Sequence, residues 1–97
     1  MSHWKSKVID LGVIQAGMAK TVVFKATNTI PLIKEINAYC GCTSPSYDKN
    51  KKELKVVYNN SKIPNQVQGP QSITKRIDVV YEDDSVDVLT IKAIRIR

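Results

Sequence analysis

The chain has 97 residues, 42% apolar and 25% charged, with four Gly and four Pro. That is room for one domain with a compact core, and the composition excludes a low-complexity or disordered chain. The formal net charge of +6 sits in the first two thirds, with a local run at Lys49, Lys51 and Lys52, and favours acidic partners over basic ones. No stretch approaches the roughly 18 apolar residues needed to cross a bilayer as a helix.

Alternation of period two dominates and predicts strands. Val8, Ile9 and Leu11 open a first strand that Gly12 is expected to end, and Gly17 marks a turn. Val22, Phe24 and Ala26 form the apolar face of a second strand, closed by Asn28-Thr29-Ile30-Pro31. Ile36, Ala38 and Cys40 alternate with Glu35, Asn37 and Tyr39 in a third, and Cys42 continues the parity of Cys40. Thr43-Ser44-Pro45-Ser46 reads as a turn. Leu54, Val56 and Tyr58 form the next apolar stripe, followed by a polar loop from Asn59 to Gln71.

Two longer strands close the chain. Ile73, Ile77, Val79 and Tyr81 share a face, with Lys75 as the odd member, and Glu82-Asp83-Asp84-Ser85 forms an acidic hairpin turn. Leu89, Ile91 and Ala93 follow on one parity, after which the apolar positions become Ile94 and Ile96. This change reads as a bulge or as a tail over residues 94–97 leaving the domain. Six or seven short strands with turns every 8–12 residues and no amphipathic helix predict an antiparallel β-sandwich of the immunoglobulin-like type, one domain over residues 1–97 with a short N-terminal arm at 1–6.

Groups for catalysis are sparse. His3, the sole histidine, falls in the expected arm, so a Ser/His/Asp or Cys/His arrangement has no well-placed base. The acidic turn lacks the Asp-x-Asp-x-Asp-Gly spacing of a calcium loop. Two thiols and one distant histidine fall short of four zinc ligands. Cys40-Gly41-Cys42 is also one residue short of a Cys-x-x-Cys redox motif. The expectation is a non-enzyme without cofactor, metal or small-molecule substrate. Cys40, Gly41, Cys42 and Thr43 are then structural, since cysteine buries well. Basic residues and exposed aromatics are not visibly interleaved, which argues against nucleic acid.

Three blocks carry a resemblance: Asp10-Leu11-Gly12-Val13-Ile14-Gln15-Ala16-Gly17, then Val22-Val23-Phe24-Lys25-Ala26-Thr27-Asn28-Thr29, then Cys40-Gly41-Cys42-Thr43-Ser44-Pro45. Together they resemble a family of bacterial immunoglobulin-like domains of unassigned function, similar to Hydin-type and major-sperm-protein-type sandwiches. Where that family has Gly after its Asn-Thr pair, this chain has Ile30-Pro31. The resemblance implies a sandwich and supplies no catalytic residues. The N-terminus has no apolar signal-peptide core behind it, so the expected site of synthesis is the cytoplasm, with both thiols reduced. The chain also resembles accessory proteins of tailed-phage particles, which implies a virion location and a capsid or tail protein lattice as partner. The expected contacts are Trp4 in the arm and Ile94, Arg95, Ile96 and Arg97 in the tail, which could add to a neighbouring sheet edge. A cytosolic adaptor for one soluble protein is the alternative, and a cysteine-based redox or metal module a third reading.

Overall fold

The computed structural model describes residues 3–15, 17–39, 43–59 and 69–96. Among them are seven strands and no helix: β1 (Val8–Gln15), β2 (Ala19–Lys25), β3 (Ile33–Ala38), β4 (Thr43–Asp48), β5 (Glu53–Asn59), β6 (Gln71–Tyr81) and β7 (Val86–Ile96). They form two sheets, one of order β1-β7-β6-β3 and one of order β2-β5-β4. The fold is the expected all-β sandwich. One pair departs from antiparallel order, because β1 runs parallel to β7.

The alternating pattern explains the layers, since every second side chain of a strand faces the opposite sheet. Val22 and Phe24 of β2, Leu54, Val56 and Tyr58 of β5, Ile77, Val79 and Tyr81 of β6, and Leu89, Ile91 and Ala93 of β7 are all buried between the sheets. Each fully buried Val, Leu or Ile contributes about 1.5–3 kcal/mol relative to exposure. A smaller cluster of Ile14, Tyr58 and Ala93, with Leu11 and Ile73 against it, fills the end where β1 finishes.

Several expectations are corrected. Gly12 does not end β1. It takes a left-handed conformation (φ 73°) at a register shift between Asp10 and Val13, and the strand runs on to Gln15. The Asp10 carboxylate accepts the Gly12 N–H at 2.8 Å, so the shift leaves that donor paired. Thr43-Ser44-Pro45-Ser46 is not a turn but the first part of β4, an edge strand paired to β5. An edge position tolerates proline because a residue without an N–H can face away from the ladder.

The described residues of the expected arm and tail, 3–6 and 94–96, are built into the sheets. The segment around Trp4 lies along the end of β2. Trp4 bridges Ala26, the Lys5 N–H donates to the Lys25 carbonyl at 2.8 Å, and the Thr27 N–H donates to the His3 carbonyl at 2.9 Å. Ile94, Arg95 and Ile96 do not form a tail. They continue β7 without a break in parity, with β1 on one side and, for Ile94 and Arg95, β6 on the other. Ile94 is prominent in the sequence because it faces out, not because the strand has left the sheet.

Candidate functional site

Two polar clusters and two surfaces carry the chemistry of the described residues. The first cluster closes one end of the core. Trp4 is 3% exposed, and its indole N–H donates to Tyr81 Oη at 2.8 Å. Tyr81 in turn donates to Asp87 Oδ2 at 2.6 Å, and Lys7 Nζ reaches Asp87 Oδ1 at 2.9 Å. The His3 ring stands edge-on to Tyr81, 5.2 Å between centroids. Burial first, and donation to Asp87 second, push the Tyr81 phenol far above its ordinary range. At Asp87, burial alone would raise the carboxyl, but hydrogen bonds from Tyr81 and Lys7 outweigh it and hold the group below its usual range. The indole N–H, the Tyr81 hydroxyl, the Asp87 carboxylate and the Lys7 ammonium are bonded in one chain, so the cluster fastens the N-terminal segment to the β6–β7 hairpin.

The second cluster lies on the outward side of β6. Asp78 is buried and accepts from Arg76 Nε at 2.8 Å and from Tyr39 Oη at 2.6 Å. The Arg76 guanidinium stands 5.7 Å from the Tyr39 ring centre. Arg76 first and Tyr39 second hold the Asp78 carboxyl below its usual range, and the same bond to Asp78 raises the Tyr39 phenol. A carboxylate so engaged is a strand-to-strand fastener, not a poised base. Among the described residues no group of three or more His, Cys, Asp or Glu could hold a metal ion.

The first surface is the outer face of the β1-β7-β6-β3 sheet. Val8, Val13, Val86, Val88 and Ile94 are all exposed, and the register puts them on that one face. Val8 lies beside Thr90 and Val13 beside Ile94, while Val86, Val88, Thr90 and Ile94 alternate with buried Leu89, Ile91 and Ala93 on β7. Asp10 beside Lys92 interrupts the apolar run. The second surface is a groove of about 350 Å³ at one end of the sandwich, lined by Ile30, Pro31, Leu32, Ile33, Tyr47, Lys49 and Lys52.

The residues expected to make contacts divide unevenly among these features. Trp4 is buried and offers no surface. Arg95 is half-buried and donates to the Gln71 side-chain carbonyl on β6, and Ile96 is half-buried as well. Ile94 alone of the described ones is exposed, on the outer sheet face among valines that sequence reading passed over. Their signal was present in the outward parity of Val86 and Val88, opposite Leu89. Thr43 is buried at the start of β4. Cys40, Gly41, Cys42 and Arg97 lie outside the described residues.

No curated protein and no solved structure matches the chain. A family model does, over residues 2–94. The chain belongs to that family, which is described as a protein of unknown function (DUF1573).

Proposed function

We propose that this chain is a non-enzymatic binding module that meets a protein partner through the outer face of its four-stranded sheet. The observation that carries this reading is the set Val8, Val13, Val86, Val88 and Ile94, exposed together on one face, while Asp78, Asp87, Tyr39 and Tyr81 are held in bonds within their two clusters. Apolar side chains gathered on one face, with polar groups between them, are the usual mark of a protein contact surface.

The finer reading is a virion accessory protein that decorates a phage capsid or tail. What supports it is the character of the face. Scattered valines between Thr74, Thr90, Asp10 and Lys92 suit a modest contact per copy. Such a contact becomes firm when many copies sit on a repeating lattice and each site engages at once. The cytosolic adaptor, with one soluble partner, differs in copy number and in the size of what it joins.

Affinity purification of a tagged copy from its native source, with mass spectrometry and particle sizing, tests the proposal. Recovery at high copy number with a capsid or tail protein in a megadalton particle supports the virion reading. A Val88→Asp, Ile94→Asp variant should then lose occupancy while keeping its fold. Recovery with one soluble protein refutes the virion reading and leaves the binding module. Unchanged partner recovery by the face variant refutes the face.

A further inference from the structure

Three connections meet at one end of the sandwich. The pairing of Lys25 with Glu53 sets the β4–β5 turn, residues 49–52, beside the end of β2. The pairing of Ile33 with Tyr81 sets the start of β3 beside the β6–β7 turn, residues 82–85. The Glu82 N–H donates to the Leu32 carbonyl at 3.0 Å. The connection from β2 to β3 therefore crosses from one sheet to the other between the two turns. It lays an apolar strip, Ile30-Pro31-Leu32, across the end of the domain. Leu32 is 64% exposed and stands in the wall of the groove, which it shares with Ile30, Ile33, Tyr47, Lys49 and Lys52.

The two turns that flank this strip have opposite charge. Lys49, Lys51 and Lys52 stand on the side of the three-stranded sheet, and Glu82, Asp83 and Asp84 on the side of the four-stranded one. Asp84 is taken up by Lys34 at 3.0 Å, Lys52 by the Asn28 carbonyl, and Asp83 by Ser85. Among the described residues, Lys49, Lys51 and Glu82 make no ion pair within the chain.

We propose that this end is a self-complementary face through which two copies associate end to end. Leu32 of each enters the groove of the other, and the lysine turn of each faces the acidic turn of the second copy. A twofold axis lying in the end face and parallel to both sheets gives this arrangement, since it exchanges the two sheets and sets basic against acidic on both flanks. A twofold axis along the sheet normal would set like against like, so the charges also choose the orientation. The end is close to neutral although the chain carries +6, and repulsion is accordingly least here.

The area sets the strength. The domain measures 46 × 21 × 19 Å, so an end face offers about 400 Å² per copy, well short of the roughly 800 Å² per partner of a standard stable interface. The association is weak and salt-sensitive, seen at high concentration or where copies are held near one another. It uses a different surface from the sheet face proposed above and stands without it.

Sedimentation equilibrium of the intact chain under reducing conditions, from about 10 µM to 1 mM and at low and high salt, tests the proposal. The mass should rise toward twice the monomer at low salt and less at high salt. Leu32→Asp, the double variant Lys49→Glu, Lys51→Glu, and Glu82→Lys should each lower the association constant at least about fivefold. The double variant is the sharp case. It cuts the net charge from +6 by four units, so bulk repulsion alone would strengthen association, whereas the proposed contact is weakened. Mixing it with Glu82→Lys in equal amounts should recover part of the dimerisation, because the reversed positions 49 and 51 of one copy then face the reversed position 82 of the other, and the second flank keeps its wild-type charges. All substituted positions are on the surface, and circular dichroism confirms each fold. A chain that stays monomeric to 1 mM, an association indifferent to these variants, or a mixture that fails to recover would each overturn the proposal.

Discussion

Replacing Trp4 by alanine separates a built-in segment from a free arm. Trp4 is 3% exposed, so truncation removes most of a buried indole, and large-to-small changes of this kind cost about 3–5 kcal/mol. The polar part adds little, since Tyr81 keeps its donation to Asp87 and loses only the bond it accepts from the indole. With a urea slope of about 1.3 kcal/mol/M, a loss near 4 kcal/mol lowers the midpoint by about 3 M. That is a large part of the 5–15 kcal/mol typical of small domains. Trp4→Phe keeps the ring in place but removes the N–H and some volume, and should cost about 1–2 kcal/mol. The assay is urea unfolding followed by far-ultraviolet circular dichroism. Because Trp4 is the sole tryptophan, wild-type fluorescence also reports this spot, and its emission should shift red on unfolding. A Trp4→Ala loss below about 1 kcal/mol, the size expected of a surface position, would refute the packing argued for the N-terminal segment.

Tyr81→Phe leaves the buried indole N–H without its acceptor and takes a donor from Asp87, and should cost about 2 kcal/mol by the same urea assay. Stability should also fall in acid with a defined sign. Asp78 and Asp87 are both held below their usual carboxyl range, so below pH 5 the unfolded chain binds more protons than the folded one. Their contribution is complete above the unfolded carboxyl pKa of about 3.9 and is lost as pH falls through the lower folded values. Urea midpoints from pH 6 to pH 2 should show this slope, and Asp78→Asn should flatten it; an equally steep slope in the variant contradicts the assignment. Ending the chain after Ala93 removes the last residues of a strand paired on both sides. It should cost on the order of 3 kcal/mol as several ladder bonds and the Arg95 contact disappear, where loss of a free tail would leave the melting temperature unchanged.

Parity was enough to find the core where strands are long and one-sided. Phe24, Leu54, Val56, Ile77, Val79, Leu89 and Ile91 were legible because each alternates with polar or outward neighbours. The failures share a cause: the deciding partner is distant in sequence. Trp4 sits among Ser2, His3 and Lys5 and gives no periodic signal. Its burial depends on Tyr81, 77 positions away. β4 carries hydroxyls and Pro45 where a central strand would carry valines, which suits an edge but copies the composition of a turn. Gly12 signals a special backbone either way, and only the register with β7 shows that the strand resumes. The parallel placement of β1 beside β7 leaves no local trace, because parallel neighbours need no turn between them. The exposed valines of β7 were visible, yet an alternating run of Val and Ile on both faces reads first as core.

How the sheets end determines how this molecule can meet others. An open two-sheet sandwich has four edge strands, each a template for further strand pairing. Here each edge is broken in its own way. On β1 the register shift at Gly12, with Asp10 capping the Gly12 N–H, interrupts the ladder. On β2 the end is covered by the segment around Trp4, and Lys20 and Lys25 add charge along the rest. On β4 Pro45 withholds a donor, and on β3 the register shifts between Ile33 and Glu35. The C-terminal residues that could have served as an added strand are already in the middle of a sheet, between β1 and β6. Strand addition is thus opposed at every side, which fits the proposal that contacts use the valine-bearing sheet face and the end at Leu32. If that reasoning is right, Pro45→Val with Gly12→Ala, which together restore a donor on one edge and strain the bulge on another, should raise the tendency to aggregate in a thioflavin assay. Neither Leu32→Asp nor Val88→Asp should do so.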